Sequence, residues 1–370
     1  MTQKDQDANP TVSIVIPVYN AEAFLDPLLD NLKAQTFTDF EVICVNDGSS
    51  DSSLDILERA SEQDSRFHAV TRENGGEGAA RNTGLEHARG KYIICVDADD
   101  LVEPNLLEAM VQPFLADDSL DVVLCDLDNY FDDIDEFRAA PWAINKQHIP
   151  AGISFQPKDI PDFYNWVTGY CANKMVKRSL IEDHSLRWQE VRTHGDMAFT
   201  QSALGIADNV YFVNQELYHH RKRSDGGSLS DITQDTLYEC LFLALEEIKN
   251  NLTRAGKWPD FESIFVNYAL AQCRWKYFKV SDNARPNVHA SLRNSWFRRL
   301  GVTGYPKEFY HSERDYRFMV AVLERKTPQG VKEAMDKPQA KKKAPATPAK
   351  PAKASTAKKA KRFVKRILKH

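Results

Sequence analysis

The segment Lys91–Asp100, KYIICVDADD, decides the fold because four apolar residues run directly into three acids. Its apolar part, Ile93–Val96, is typical of a central parallel strand that is covered on both faces. Asp97, Asp99 and Asp100 would then lie at the carboxyl end of this strand, where open α/β sheets bind their ligands. The segment therefore predicts an α/β domain with an acidic site at this edge of the sheet.

The three acids allow two interpretations. Asp100 could be the N-cap of the helix that follows, with Pro104 in its first turn. Three crowded carboxylates repel each other, however, and a divalent cation with oxygen ligands is the usual way to hold them together. These residues alone do not distinguish a metal site from a solvated acidic cluster.

Strand-like and helix-like segments alternate at short intervals over the first hundred residues. Apolar runs predict strands at Val12–Val18, Val42–Val45 and Phe67–Val70, with helices between them. Such alternation is typical of a doubly wound, mostly parallel sheet. The glycine-rich segment after the third strand lacks the GxGxxG pattern of dinucleotide-binding dehydrogenases, and it could either bind a phosphate or form only a tight turn.

The composition sets limits on the class of protein. A length of 370 residues with 42% hydrophobic content allows a sizeable core. No run of eighteen apolar residues occurs, and the polar start MTQKDQDANP does not have the pattern of a signal peptide. The six cysteines include no CxxC pair, which argues against a zinc site or a disulfide framework. We therefore expect a cytoplasmic protein.

The net charge of −5 is unevenly distributed. Residues 331–370 carry 14 Lys and Arg against two acids, which leaves a net charge of −17 on residues 1–330. The Lys/Ala/Pro-rich composition of this tail predicts disorder.

The end of the tail has a different pattern. Phe363, Val364, Ile367 and Leu368 would share one face of a short helix surrounded by basic residues. This pattern favours attachment to an anionic membrane surface, which would place the protein at the inner face of the cell membrane, or to a partner. Weak nucleic-acid binding or a solubilising extension remain alternatives, and no specific nucleic-acid partner is expected.

Six segments of the chain together resemble the family 2 inverting glycosyltransferases of the GT-A fold. They are VSIVIPVYN (12–20), VNDGSSD (45–51), GGEGAARNTG (75–84), VDADD (96–100), ANKMVKRSLI (172–181) and HGDMAF (194–199). The resemblance implies a GT-A domain over residues 11–230, with a nucleotide-sugar half (11–100) and an acceptor half (101–230). A disordered N-terminus (1–10), a mainly helical region (231–330) and the basic tail (331–370) would complete the chain.

The resemblance also implies a nucleotide-sugar donor bound across the first half of the sheet. Asp97, Ala98 and Asp99 would form the DxD motif, with Mg²⁺ or Mn²⁺ held by Asp99 and by Asp97. The base pocket would be lined by Pro17, Tyr19 and Asn20, with Asp47 hydrogen-bonded to the base and Arg81 beside it. A carboxylate at position 47 can accept from the ring N–H of uracil, so we expect a UDP-sugar, with GDP-sugars as the main competitor.

Asp196 would be the general base, as the second acid of the family's usual Glu-Asp pair. Here position 195 is a glycine, which puts the acceptor contacts of the first acid in doubt. The alternative is that Asp196 is only a helix N-cap. Further acceptor or lid candidates are Asn173, Lys174, His194, His220 and Arg221.

The sequence thus predicts a metal-dependent hexosyl- or N-acetylhexosaminyltransferase that acts on a glycan or lipid-linked acceptor in surface polysaccharide biosynthesis. Two alternatives remain open: transfer to a polyprenyl phosphate, and a catalytically silent scaffold that only binds a nucleotide.

Overall fold

The structure, a computed structural model, describes residues 9–222 and 235–336. The first half of the sheet has the predicted alternation of strands and helices. Four parallel strands lie in the order β3-β2-β1-β4. They are β1 (Val12–Val18), β2 (Phe40–Asn46), β3 (Phe67–Thr71) and β4 (Tyr92–Cys95), connected by α1 (Glu22–Lys33), α2 (Ser53–Gln63) and α3 (Glu77–His87).

Strand β4 is buried on both faces, as the four-residue apolar run predicts. Ile93 and Cys95 pack into one hydrophobic cluster, and Ile94 and Val96 pack into the other. Because successive side chains of a strand point to opposite faces, an uninterrupted apolar run requires apolar cover on both sides. The acids that follow β4 are thereby brought to the carboxyl ends of the parallel strands.

The second half of the sheet mixes strand directions. Its strands extend the order as β4-β9-β6-β10-β5, with β9 antiparallel to both neighbours and β6 parallel to β10. The elements are β5 (Leu101–Val102), α4 (Leu106–Ala116), β6 (Val122–Phe131), β7 (Glu136–Ala139), β8 (Ser154–Phe155), α5 (Phe163–Trp166), β9 (Lys174–Lys177), α6 (Arg178–Asp183), α7 (Gly195–Ile206) and β10 (Val210–Lys222).

The structure decides between the two interpretations of Asp100 and places one polar segment in the sheet. Asp100 does not cap the next helix: α4 begins at Leu106 after Asn105, and the Asp100 side chain is buried. The polar cluster 218–222, which contains the lid candidates His220 and Arg221, belongs to β10, where Tyr218 pairs with Leu127 and Lys222 with Phe131. Pairing with β6 supplies the backbone hydrogen bonds of this strand. A polar sequence by itself does not predict such pairing.

The region after residue 235 is helical, as predicted. It contains α8 (Tyr238–Arg254), α9 (Trp258–Lys279), α10 (Arg285–Ser291), a π-helical segment (Leu292–Trp296), α11 (Phe297–Leu300), α12 (Glu313–Glu324) and α13 (Pro328–Asp336). Helix α8 packs on α7, where the Asn251 amide donates to the Ser202 hydroxyl at 2.9 Å. Across the described ranges, no helix combines the length and apolar character needed to cross a membrane.

Helix α13 runs across the expected start of the tail at residue 331. Val331 is fully buried, and Arg317 donates to the carbonyl of Ala334 at 2.8 Å. The described residues as far as Met335 form one compact unit. The predicted amphipathic segment around Phe363 lies outside the described residues.

Candidate active site

Arg81 is the residue that joins the parts of the site. Its guanidinium is buried, and Nη2 lies 2.6 Å from Asp97 and 2.5 Å from Glu77. The other terminal nitrogen, Nη1, is paired with the carboxylate of Asp196. The acid at the end of β4 and the acid in the first turn of α7 therefore share one guanidinium.

The glycine-rich segment fixes the position of Arg81. A Cβ at Gly78 would lie 2.4 Å from the carbonyl oxygen of Gln189, so only glycine permits this contact between α3 and the chain before α7. One turn further on, Asn82 exchanges two hydrogen bonds with the Trp188 backbone, at 2.9 and 2.8 Å. At Gly78, then, glycine permits close packing of two segments, whatever else the loop binds.

Two tyrosines hold the acids at the end of β4. The hydroxyls of Tyr170 and Tyr218 each lie 2.6 Å from the buried Asp100 carboxylate, and the Tyr170 hydroxyl also lies 2.7 Å from Asp97. Burial, and after it the charges of Asp100 and Asp97, raises the pKa of both tyrosines well above the usual value. Both hydroxyls therefore remain protonated donors and fix the orientation of the carboxylates.

Asp99 is in a different electrostatic environment from its neighbours. Burial, with the nearby charges of Asp100 and Asp97, raises the pKa of Asp99 to about 6. Its backbone carbonyl accepts from Arg221 Nε at 2.5 Å. Burial and the two neighbouring carboxylates both disfavour the charged form of Asp99.

Asp196 lies in the first turn of α7, and His194 precedes the helix with a φ of 67°. Burial raises the pKa of the Asp196 carboxyl, although the nearby Arg81 opposes this shift. A Cβ at Gly195 would lie 2.9 Å from the Gln189 carbonyl oxygen. The local backbone therefore leaves no room for the first acid of the expected pair, while Glu77 brings a half-exposed carboxylate to the same guanidinium.

The predicted base pocket lies at the carboxyl ends of β1 and β2. Tyr19 is 56% exposed, and Asn20 accepts from the Ser50 amide at 2.8 Å. Asp47 is buried and accepts from the amides of Gly75 at 3.0 Å and Gly76 at 2.7 Å.

A second arginine, which was not predicted, lies beside Asp47. Arg72 lies 3.3 Å from the Asp47 carboxylate, whereas Arg81 lies at the end of β4. Pro17, the other predicted pocket residue, is the penultimate residue of β1.

The predicted acceptor and lid residues separate into two groups. His220 and Arg221 contact the acidic motif: His220 Nδ1 lies 3.3 Å from Asp100, and the Arg221 amide donates to Asp100 at 2.8 Å. Asn173 and Lys174 are buried beneath Tyr170, whose carbonyl accepts from Lys174 at 2.7 Å. Burial lowers the pKa of Lys174 to about 7.

His194, the remaining candidate, is partly buried. Its Nδ1 lies 2.9 Å from the Thr193 hydroxyl, and burial lowers the pKa of His194 to about 4. Its imidazole is therefore neutral at physiological pH.

Several residues that contact the carboxylates of the site were not predicted from the sequence, among them Arg72, Glu77, Tyr170 and Tyr218. The polar cluster of β10 could have indicated Tyr218, and the glycine-rich segment contains Glu77. Tyr170 stands in an irregular segment with no pattern of its own.

Comparison with known proteins gives a consistent result. The sequence profile described as Glycosyl transferase family 2 matches residues 13–185. The putative glycosyltransferase EpsH of Bacillus subtilis is 36% identical over 77% of this chain and 82% of its own length. The uncharacterized glycosyltransferase YibD of Escherichia coli is 39% identical over 71% of this chain and 78% of its own length.

A solved structure has a similar fold. The crystal structure of Staphylococcus aureus TarS 1–349 in complex with UDP-GlcNAc is 21% identical, with a TM-score of 0.65 over 88% of this chain and 89% of that chain.

Proposed function

Since this chain belongs to glycosyl transferase family 2, we propose that it moves a sugar, with inversion, from a UDP-sugar to a glycan or lipid-linked acceptor in the biosynthesis of a surface polysaccharide. The observation that supports this proposal most is the pairing of Asp97 and Asp196 with the one Arg81 guanidinium. An inverting displacement requires the leaving group and the base on opposite faces of one sugar ring. Two acids joined by a single guanidinium are close enough for a sugar to contact both.

The donor is expected to carry uridine. Asp47 accepts one amide on each carboxylate oxygen. Its Oδ1 also lies 3.3 Å from Arg72, and its Oδ2 keeps a second lone pair for the ring N–H of uracil. The similar fold of TarS, which binds UDP-GlcNAc, is consistent with this class of donor.

The residues at the end of β4 fit a divalent cation through Asp99. One oxygen of Asp97 accepts from Arg81 and the other lies 2.7 Å from the Tyr170 hydroxyl, whereas a cation beside Asp99 would offset the burial and the neighbouring charges that raise the pKa of Asp99. The described residues include no group of three or more His, Cys, Asp or Glu side chains that could hold a metal ion by themselves. Asp99, assisted by Asp97, would therefore share Mg²⁺ or Mn²⁺ with the diphosphate of the donor, and the cation would neutralise charge on that leaving group.

In the proposed reaction, Asp196 acts as the general base for the acceptor hydroxyl. The acceptor hydroxyl forms a bond to the anomeric carbon, and its proton passes to the Asp196 carboxylate. The bond between that carbon and the diphosphate oxygen breaks, and UDP leaves with the electron pair. Burial shifts the pKa of Asp196 upward, toward the working pH of the enzyme. A general base is most effective when its pKa is near that pH.

A donor screen tests the proposal. Thermal unfolding is measured with UDP-, GDP- and ADP-sugars in the presence and absence of Mn²⁺, and the stabilising sugars are then supplied as radiolabelled donors. We expect UDP-sugars with Mn²⁺ to raise the melting temperature and UDP to be released at a rate that falls when Asp196 is replaced by Asn. Stronger stabilisation by GDP-sugars would contradict the uridine assignment, and stabilisation without UDP release by any donor would contradict the enzymatic role.

A further inference from the structure

Trp142 presents a large exposed ring beside the acidic motif. The residue is 44% exposed, and its ring centroid lies 6.2 Å from Tyr170 and 6.0 Å from His220. The Tyr170 hydroxyl contacts Asp97 and Asp100, and His220 contacts Asp100. One side chain therefore separates the exposed indole from the acids at the end of β4.

The backbone around Trp142 is fixed. The Ala143 amide donates to the Ala140 carbonyl at 2.9 Å, and the Thr168 amide donates to the Ala143 carbonyl at 2.8 Å. Ala143 and Ile144 are buried, so Trp142 is held outward by a packed segment. An exposed aromatic ring on a fixed backbone is available for contact without a loss of backbone entropy.

The segment that supports Trp142 also leads to the candidate base. A Cβ at Gly169 would lie 2.8 Å from Met197 Cγ, so the chain on which Tyr170 lies packs directly on the first turn of α7. Asp196 precedes Met197 in that turn. The segment that carries Tyr170, the neighbour of the indole, therefore packs on the helix turn that carries Asp196.

We propose that Trp142 is the platform on which a sugar ring of the acceptor stacks. An aromatic face offers apolar contact area, which suits the C–H face of a pyranose, while its polar surroundings satisfy the hydroxyls. Lys222 Nζ lies 5.7 Å from the indole centroid and adds a hydrogen-bond donor at this position. The expected base pocket is at the ends of β1 and β2, and the donor diphosphate would lie at the end of β4. Trp142 follows β7 in the second half of the domain and contacts Tyr170 and His220, so we assign the sugar on Trp142 to the acceptor.

This inference rests on the proposed function and restricts the class of acceptor. An acceptor that stacks on Trp142 is a saccharide or carries one, whereas a bare polyprenyl phosphate has no ring to place there. The platform therefore assigns the enzyme to chain extension on an existing sugar, and a preceding reaction must supply that sugar.

Saturation-transfer NMR tests the platform with three probes: methyl β-glucoside, methyl β-galactoside and methyl N-acetyl-β-glucosaminide. Trp142→Ala is compared with the wild type, with the conservative Trp142→Phe and with Trp275→Ala, which removes a 43% exposed tryptophan from α9. UDP binding with Mn²⁺ and thermal unfolding are measured on every protein. Undecaprenyl phosphate in detergent micelles is tested as the rival acceptor.

We expect at least one glycoside to bind the wild type and to bind Trp142→Ala about tenfold more weakly, which is the scale of a lost aromatic contact. Trp142→Phe should recover part of the affinity, and Trp275→Ala should equal the wild type. Equal glycoside binding by Trp142→Ala, or binding of undecaprenyl phosphate and of no glycoside, would overturn the platform. Unchanged UDP binding in these cases would leave the proposed function intact, whereas absence of UDP binding by the wild type would contradict the proposed function itself.

Discussion

Arg81 contributes to stability as well as to the arrangement of the site. Its buried charge is paired with Asp97, Glu77 and Asp196, so its removal leaves two partly buried acids without a counter-ion. We predict that Arg81→Met lowers the free energy of unfolding by about 3 kcal/mol. Arg59→Met, which breaks an exposed pair with Asp26, should cost less than about 1 kcal/mol.

Urea denaturation of the two variants checks this difference. Equal losses in the free energy of unfolding would mean that the Arg81 ion pairs stabilise the protein no more than a surface ion pair does.

Lys174 makes a pH-dependent contribution to stability. Burial lowers the pKa of Lys174 to about 7 in the folded state, while the unfolded chain has the ordinary value of 10.5. Between these values the unfolded chain binds the proton and the folded chain does not, so stability rises with pH from about 7 upward, by at most about 1.4 kcal/mol per unit. Below pH 7 the folded state carries the full cost of the buried charge.

The comparison with Lys174→Met isolates this effect from the cysteines and tyrosines. Urea unfolding of both proteins at pH 6.5 and pH 9 should show the wild type gaining stability relative to the variant. A constant difference between the two proteins would contradict the assignment of a lowered pKa to Lys174.

At the scale of single residues, the order of the motifs along the chain is sufficient to predict Asp97 and Asp196 as members of one site. Tyr170 could not be predicted because its contact with Asp97 depends on how the irregular chain at Gly169 packs against Met197. The pairing of Arg72 with Asp47 depends on the register of β2 and β3, in which Asn46 pairs with Thr71. Contacts between distant segments leave no trace in local periodicity.

At the scale of elements, α3 depends on a close approach that only glycine allows. We predict that Gly78→Ala costs about 1–3 kcal/mol, because the new Cβ would meet the Gln189 carbonyl oxygen at 2.4 Å. The helix must then shift, and Arg81, one turn later, moves away from Asp196. Turnover should therefore fall along with stability.

Gly330→Ala is the matched control, since its Cβ meets its nearest neighbours at 3.4 Å within α13. It should change stability by less than about 1 kcal/mol. Thermal unfolding and UDP release of both variants provide the measurement, and a Gly78→Ala protein as stable and active as the wild type would contradict this account of α3.

The strands show which elements a sequence can reveal. The parallel strands β1, β2 and β4 are continuous apolar runs, and the fold class followed from them. The polar end of β10 was not predictable as a strand, because its hydrogen bonds and burial come from β6, and His219 is buried between Asp128 and Glu103. Tertiary pairing here overrides a hydrophilic composition.

At the scale of the whole molecule, the basic tail is expected to act separately from catalysis. Val331 is buried, so a truncated form should end at Asp336, after α13, and should lack only residues 337–370. We predict that the full-length protein floats with liposomes that contain anionic lipid and that the truncated form does not. Neutral liposomes are the control.

The same pair of proteins tests the separation of roles. UDP release from a soluble acceptor reaction should be equal for both. Equal flotation would remove the membrane role of the tail, and loss of activity on truncation would show that the tail takes part in catalysis.

The central claim is that the acids at the end of β4 hold the donor while the acid of α7 serves the chemical step. Calorimetric titration of UDP, with and without Mn²⁺, into Asp99→Asn, Asp196→Asn and the exposed control Asp30→Asn tests this claim directly. We predict that Asp99→Asn weakens Mn²⁺-dependent UDP binding by about tenfold or more. The UDP affinity of Asp196→Asn and of Asp30→Asn should stay within about twofold of the wild type. Equal losses of UDP binding in Asp99→Asn and Asp196→Asn would contradict it.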